Sequence, residues 1–258
     1  EDLGRADGLK VSGRGELHLA ILIEEMRREG LEFCVSRPEV ITKRDAEGNL
    51  TEPMEQLIVD VPEEYQGVVI EKLSRRKGEL AGVFPTGPST VRLEFTIPTR
   101  GLIGFHSRFL TETRGSGVMN SSFLGWVPME GAMPGRATGA IISDRQGSTT
   151  PYALFGLQPR GGLFIDPGTR VYEGMIIGET PNGRDLNVNA CREKKLTNIR
   201  AAGKDDAILL TPPRKMTLEQ CIEFIDDDEL IEVTPKTLRL RKRILNAAAR
   251  QRQQAKSL

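Results

Sequence analysis

A chain of 258 residues exceeds the usual size of one domain, so two or three modules are expected. With 38% hydrophobic and 28% charged residues the composition excludes disorder, and the 5% aromatic content leaves aliphatic side chains to build the cores. The formal charge balances at 36 basic against 36 acidic residues, so any case for a nucleic-acid partner rests on local segregation of charge.

The three cysteines, Cys34, Cys191 and Cys221, are far apart and form no C-x-x-C pair. An odd count at such spacing reads as reduced thiols in a reducing compartment. No stretch approaches the roughly 18 apolar residues of a membrane span. The opening Glu1-Asp2-Leu3-Gly4 is acidic, lacks an initiator Met and resembles no targeting signal, which reads as an internal point in a longer polypeptide.

Residues 15–29 place Leu19, Leu22, Ile23 and Met26 at helical spacing, and Gly30 supplies a stop. Residues 9–11 and 31–35 alternate as strands on either side. Such a unit cannot bury its apolar face alone, and residues 1–49 are assigned to the second half of an α+β, ferredoxin-like domain. Residues 50–127 give a fuller pattern. Strands are predicted over 57–61, 83–85, 91–97 and 118–123, with helices over 62–77 and 102–111. That β-α-β-β-α-β order is the split βαβ, ferredoxin-like arrangement.

From residue 128 to 258 the texture changes. Short β-like runs at 137–142, 152–157, 169–172 and 175–177 alternate with turns such as Arg160-Gly161-Gly162 and Asp166-Pro167-Gly168, a density that predicts a small β-barrel. Thr217-Leu218-Glu219-Gln220 is a capping box ahead of a helix with Leu218, Cys221, Ile222 and Ile225 on one face. Asp226-Asp227-Asp228-Glu229 closes that helix at the wrong end for its dipole, and reads as a turn, a partner contact or a solvated loop. The predicted fold class is therefore α+β: a partial and a complete ferredoxin-like domain, then a C-terminal domain with a β-barrel and a helix.

Charge separates in three places. No acidic residue follows Glu232, while the tail carries eight basic ones, among them Arg239, Arg241, Lys242 and Arg243. Leu238 and Leu240 alternate with Arg239 and Arg241, so a strand would turn leucines inward and arginines outward. Phosphate contact and a solvated terminus are both open readings of that tail. Residues 189–206 form a second basic stretch with the composition of a protruding loop. There Lys194, Lys195 and Arg200 offer phosphate contacts, and Asn198 can read base edges or ribose hydroxyls. The third cluster, Arg75-Arg76-Lys77, ends the 62–77 helix, where basic residues also suit the helix C-terminus.

Catalytic signatures are scarce. There is no G-x-x-x-x-G-K-[ST] loop and no G-x-S-x-G elbow, and neither His18 nor His106 has a metal-ligand partner at helical spacing. Ser12-Gly13-Arg14-Gly15 precedes a helix and reads either as an anion site or as a tight turn. No catalytic, cofactor or metal residue is assigned.

Val11-Ser12-Gly13-Arg14-Gly15-Glu16-Leu17-His18-Leu19 resembles the third domain of elongation-factor-G-like translational GTPases. Ile97-Pro98-Thr99-Arg100-Gly101-Leu102-Ile103-Gly104-Phe105 resembles a step in their fifth domain. Both fit elongation factor G, LepA or the BipA/TypA group. The runs Ala153-Leu154-Phe155-Gly156-Leu157-Gln158, Val171-Tyr172-Glu173-Gly174-Met175-Ile176-Ile177-Gly178, Lys194-Lys195-Leu196-Thr197-Asn198 and Met216-Thr217-Leu218-Glu219-Gln220 resemble the signature C-terminal domain of BipA/TypA, as does Asp226-Asp227-Asp228-Glu229-Leu230. The resemblance covers essentially the whole chain.

What it implies is the C-terminal portion of a ribosome-associated GTPase linked to ribosome assembly, translation, and stress or cold response. GTP and Mg would belong to a missing N-terminal domain, with no cofactor and no catalysis in this segment. The implied partners are the ribosome, its RNA and proteins, and a tRNA acceptor end, with no membrane. The protein would be cytoplasmic and monomeric off the ribosome. A LepA-like segment fits residues 128–258 less well. A small-molecule enzyme using the barrel cavity would need titratable groups converging in one deep pocket.

Overall fold

The structure is a computed structural model that describes residues 8–133, 135–194 and 209–256. The chain divides into two compact units, Pro38–Gly135 and a discontinuous one made of Glu1–Arg37 with Arg136–Leu258.

The discontinuous unit begins with α1 (Glu16–Arg28) and β1 (Phe33–Ser36). The Pro38–Gly135 unit follows in the order β2 (Lys43–Arg44), β3 (Leu50–Pro62), α2 (Gln66–Ser74), β4 (Glu79–Pro85), β5 (Thr90–Pro98), α3 (Thr99–Leu102), α4 (His106–Glu112) and β6 (Val118–Pro128). Its sheet runs β6-β3-β5-β4, every pair antiparallel, with β2 adding two residues to β3. That is the ferredoxin-like order expected from the sequence. Alternation supplies its core: Leu57, Val59 and Val61 of β3 and Leu93, Phe95 and Ile97 of β5 are fully buried. Val69 and Leu73 of α2 and Phe105 and Phe109 pack over them.

The helix expected over 102–111 is broken into α3 and α4. Gly104 takes a left-handed φ of 67°, which interrupts the hydrogen-bond ladder and leaves carbonyls without partners. Arg76 supplies them: its guanidinium donates to the carbonyls of Gly101 (3.0 Å), Ile103 (2.8 Å) and Gly104 (3.4 Å).

The rest of the discontinuous unit comprises β7 (Gly139–Ser143), β8 (Gly147–Ser148), α5 (Pro151–Leu157), β9 (Gly162–Leu163), β10 (Arg170–Val171), β11 (Met175–Thr180), β12 (Leu186–Val188), α6 (Leu218–Phe224), β13 (Glu229–Val233), β14 (Leu238–Lys242) and α7 (Ala247–Lys256). Its main sheet has the order β1-β13-β14-β11-β7-β12, with β9 beside β11. All of its pairs are antiparallel except β7 with β12. Central strands are buried on both faces. Ala140 and Ile142 face the core formed with α1 and α6, and Ile141 faces the core formed with α5.

Two expectations are corrected, and the domain bounds differ from those expected. The sheet is open, because among the described residues β1 and β12 pair on one side only, so no barrel closes. Residues 152–157 belong to a helix, since Thr150 Oγ1 accepts the Ala153 N–H at 3.1 Å and Pro151 stands at the first turn. The N-terminal module also divides differently from the predicted 1–49 and 50–127. β1 pairs with β13 (Phe33↔Val233), and Ala20 and Ile23 of α1 enter the core under α6. Lys43 and Arg44 instead join β3 in the other unit.

Candidate nucleic-acid interface

The described start of the second basic stretch, residues 189–194, is tied firmly to the fold. β12 lies parallel to the fully buried β7, and Asp144 N–H donates to Val188 O at 2.9 Å where it ends. Thr150 N–H then donates to Ala190 O at 3.2 Å, and the Asn189 side chain turns back to accept the Cys191 N–H at 3.0 Å. Thr150 Oγ1 donates to Arg192 O. Beyond that point Arg192, Glu193 and Lys194 are exposed, and the Arg192 guanidinium lies 6.0 Å from the Tyr152 ring centre. Lys195, Asn198 and Arg200 fall outside the described residues. On return, Thr211 O accepts from Gln158 Nε2 at 3.4 Å and Arg214 N–H donates to Leu163 O at 2.8 Å. Both roots of the stretch are therefore tied to the two ends of α5.

The tail divides its arginines from its lysine. Arg239 is exposed and Arg241 is half-buried, paired with Glu232 at 3.2 Å. Arg243 is exposed, and its guanidinium donates to Asp227 O at 3.3 Å. Lys242, expected among the phosphate contacts, is only 3% exposed. Its ammonium sits 2.6 Å from Asp185, 2.9 Å from Glu229 and 3.0 Å from Asp228. Glu229 is wholly buried and also takes the two-pronged Arg136 fork at 2.7 and 2.9 Å. Arg136 further donates to the carbonyls of Thr138 and Phe224 and lies over the Phe224 ring at 4.1 Å.

Burial by itself pulls Lys242 toward the neutral amine, but Glu229 and Asp185 reverse this and raise its pKa above the ordinary lysine value. Burial likewise opposes ionisation of Asp185, and the hydrogen bonds from Lys242 and the Ala140 N–H overcome it, so its pKa is lowered. Lys242 is thus an internal counter-ion with no open path to a phosphate. The acidic run 226–229 is a turn whose charges are answered from within the unit, since Arg37 reaches Asp226 at 3.1 Å and Asp227 at 3.2 Å. Asp185 and Arg136 carry no signal in the sequence, where no local motif links them.

The third cluster is largely structural. Arg75 pairs with Glu71 one turn back at 2.7 Å, Arg76 serves the broken helix, and Lys77 donates to Glu130 O. Lys77, rather than Gly78, adopts the left-handed conformation after α2, at φ 62°. In the N-terminal motif, His18 Nδ1 accepts the Arg14 N–H at 3.3 Å, which fits the turn reading. A cleft of about 360 Å³ between α5 and residues 210–213 is lined by Leu154, Leu163, Ile165 and prolines, with Asp166 as the lone ionisable group in its lining. Among the described residues no set of titratable groups converges there.

Residues 138–247 match the family described as TypA/BipA C-terminal domain, and residues 49–137 match that described as Elongation factor G C-terminus. The chain is 54% identical to a protein of Haemophilus influenzae named "Large ribosomal subunit assembly factor BipA", over 98% of this chain and 41% of that protein. Proteins of the same name from Escherichia coli K12 and Bacillus subtilis are 51% and 47% identical, again over 98% of this chain, and 42% and 41% of their own lengths. The chain thus spans about two fifths of these relatives. Two family matches laid end to end, and identity of this level along nearly every residue, leave one assignment: the chain belongs to the TypA/BipA family and carries its C-terminal region.

Proposed function

We propose that this chain docks a translational GTPase on the large ribosomal subunit, and that it contributes binding rather than hydrolysis. GTP and magnesium are assigned to the remainder of the parent protein, which acts in the cytoplasm in ribosome assembly and translation. The observation that carries the reading is the basic stretch beginning at Arg192, which emerges from a root fixed to β7 and to both ends of α5. A segment whose described ends are tied to the fold has less entropy to lose on meeting phosphate than a free tail. Ribosomal RNA and a tRNA acceptor end are the proposed polyanions. Lys194, Lys195 and Arg200 serve as phosphate contacts and Asn198 as a base or ribose contact, while Arg239, Arg241 and Arg243 form a second patch. The names of the relatives support the ribosome as partner.

The test is co-sedimentation of the full-length protein with large subunits in a non-hydrolysable GTP analogue, across a salt series. Changing Lys194, Lys195 and Arg200 to Ala should weaken binding most at low salt. The log–log salt slope should fall by about 0.7–0.9 for each phosphate that the variant no longer neutralises. Equal affinity and an unaltered slope would remove this stretch from the interface.

A further inference from the structure

The helix α5 has a composition that does not suit its position. Its sequence, Pro-Tyr-Ala-Leu-Phe-Gly-Leu, is apolar all round, the pattern of a helix buried on every side. Among the described residues only one face is covered: Ala153, Leu154 and Leu157 enter the core, while Tyr152 is 38% and Phe155 51% exposed. The two exposed rings stand three residues apart and so share a face. Gly156 beside them is also exposed, and a Cβ built there would meet nothing within 4 Å. A glycine inside a helix is destabilising relative to alanine, and no internal crowding accounts for this one. Positive charge borders the face. Arg192 reaches over the Tyr152 ring at the N-terminal end, and Arg160 is exposed just past the C-terminal end.

We propose that this face is a stacking platform for unpaired RNA bases. Tyr152 and Phe155 supply the ring surfaces, Gly156 leaves the approach clear, and Arg192 and Arg160 meet the phosphates on either side. Aromatic rings bordered by arginine form the combination that holds single strands without reading their sequence, because every base has a π face and every linkage a charge. Duplex RNA offers no free base face and would gain nothing from the rings. The proposal rests on the docking function above and narrows it: this part of the interface selects unpaired nucleotides.

The experiment measures binding of the full-length protein to a single-stranded oligoribonucleotide, to a duplex RNA of equal length and to large ribosomal subunits. The stacking energy of one base corresponds to about 5- to 150-fold in affinity. Changing Tyr152 and Phe155 together to Ala should therefore weaken single-strand binding at least about fivefold and leave the duplex unchanged. Replacing both by Trp should keep the affinity. Gly156→Gln, which retains both rings but fills the approach, should weaken single-strand binding as well, and it guards against misfolding of the alanine variant.

If the alanine pair stays within twofold of the parent while loss of Lys194, Lys195 and Arg200 still weakens binding, the platform is wrong and the docking function stands. If neither set matters, both fail. If the alanine pair weakens subunit binding but not oligonucleotide binding, the face meets a ribosomal protein and the inference is overturned.

Discussion

Replacing Lys242 by Met removes the central cation of a buried cluster while keeping most of the side-chain volume. Glu229, with no exposed surface, would keep the Arg136 fork and the Asp226 N–H at 2.9 Å, but Asp185 would lose its closest partner, now at 2.6 Å. Before the change two cations face the fully buried Glu229 and the partly exposed Asp185, with Asp228 at the rim; afterwards one negative charge is uncompensated. Removing one member of a buried ion pair costs about 3–5 kcal/mol, and the retained Arg136 contacts place this case near about 3 kcal/mol. With a urea slope of about 2 kcal/mol/M the midpoint should fall by about 1.5 M.

The assay can separate the two units. Trp126 is the one tryptophan in the sequence and lies on β6, in the Pro38–Gly135 unit. Its fluorescence midpoint should hold while the remaining circular-dichroism transition moves. The effect should also depend on pH. Asp185 has its pKa lowered in the folded protein, so its stabilising contribution is present above the unfolded value of 3.8 and is lost as pH falls through the folded value. The gap between parent and variant should therefore narrow below about pH 4. Restoring the balance with Asp185→Asn in the Lys242→Met background should recover part of the loss. A loss under about 1 kcal/mol at neutral pH would mean that Lys242 is not held by Glu229 and Asp185, and its role as an internal counter-ion would be refuted.

Arg76→Ala strips three carbonyls of their donor and should lower the Trp126 fluorescence midpoint by about 2 kcal/mol in free-energy terms; an unmoved midpoint would show that the α3–α4 break needs no such support. Thr217→Ala removes the hydroxyl that accepts the Gln220 N–H while keeping the backbone N–H that donates to the Gln220 side chain, and should cost about 1 kcal/mol by circular dichroism, whereas Thr217→Ser should be nearly neutral. Burial pushes the Cys221 thiol up to about 12, so at pH 8 a disulfide-exchange reagent should label exposed Cys34 in the native protein and reach Cys221 only on unfolding. Rapid native labelling of Cys221 would contradict its burial in the α6 core.

The ferredoxin-like unit is legible because its strands have one covered face, and period-two alternation records that directly at 57, 59 and 61 and again at 93, 95 and 97. The capping box is equally local: two residues three apart define it, and both of its hydrogen bonds form. Sheet closure is not legible in this way, since it depends on which strand edges meet, and turn density says nothing about that. Helix α5 reads as a strand on its Tyr, Leu and Phe content, although Thr150-Pro151 in front of it is a helix-start signal. Lys242 is the instructive case. The alternation that turns Leu238 and Leu240 inward places residue 242 on that same side, so the strand's own parity points to a buried lysine. Counting tail charges without applying the parity puts it at the surface.

The pairing of Phe33 with Val233 also sets a timetable. These partners are 233 − 33 = 200 residues apart, and at about 5–20 residues per second a ribosome needs roughly 10–40 s to pass from one to the other. Throughout that interval the strand after the first helix waits with an unsatisfied edge, and Ala20 and Ile23 lack the helix that will cover them. The Pro38–Gly135 unit has all its strands in hand much earlier and can finish folding on its own. A nascent chain of this family therefore carries a completed module inside an uncompleted one, and its aggregation-prone period ends only when the last strands emerge.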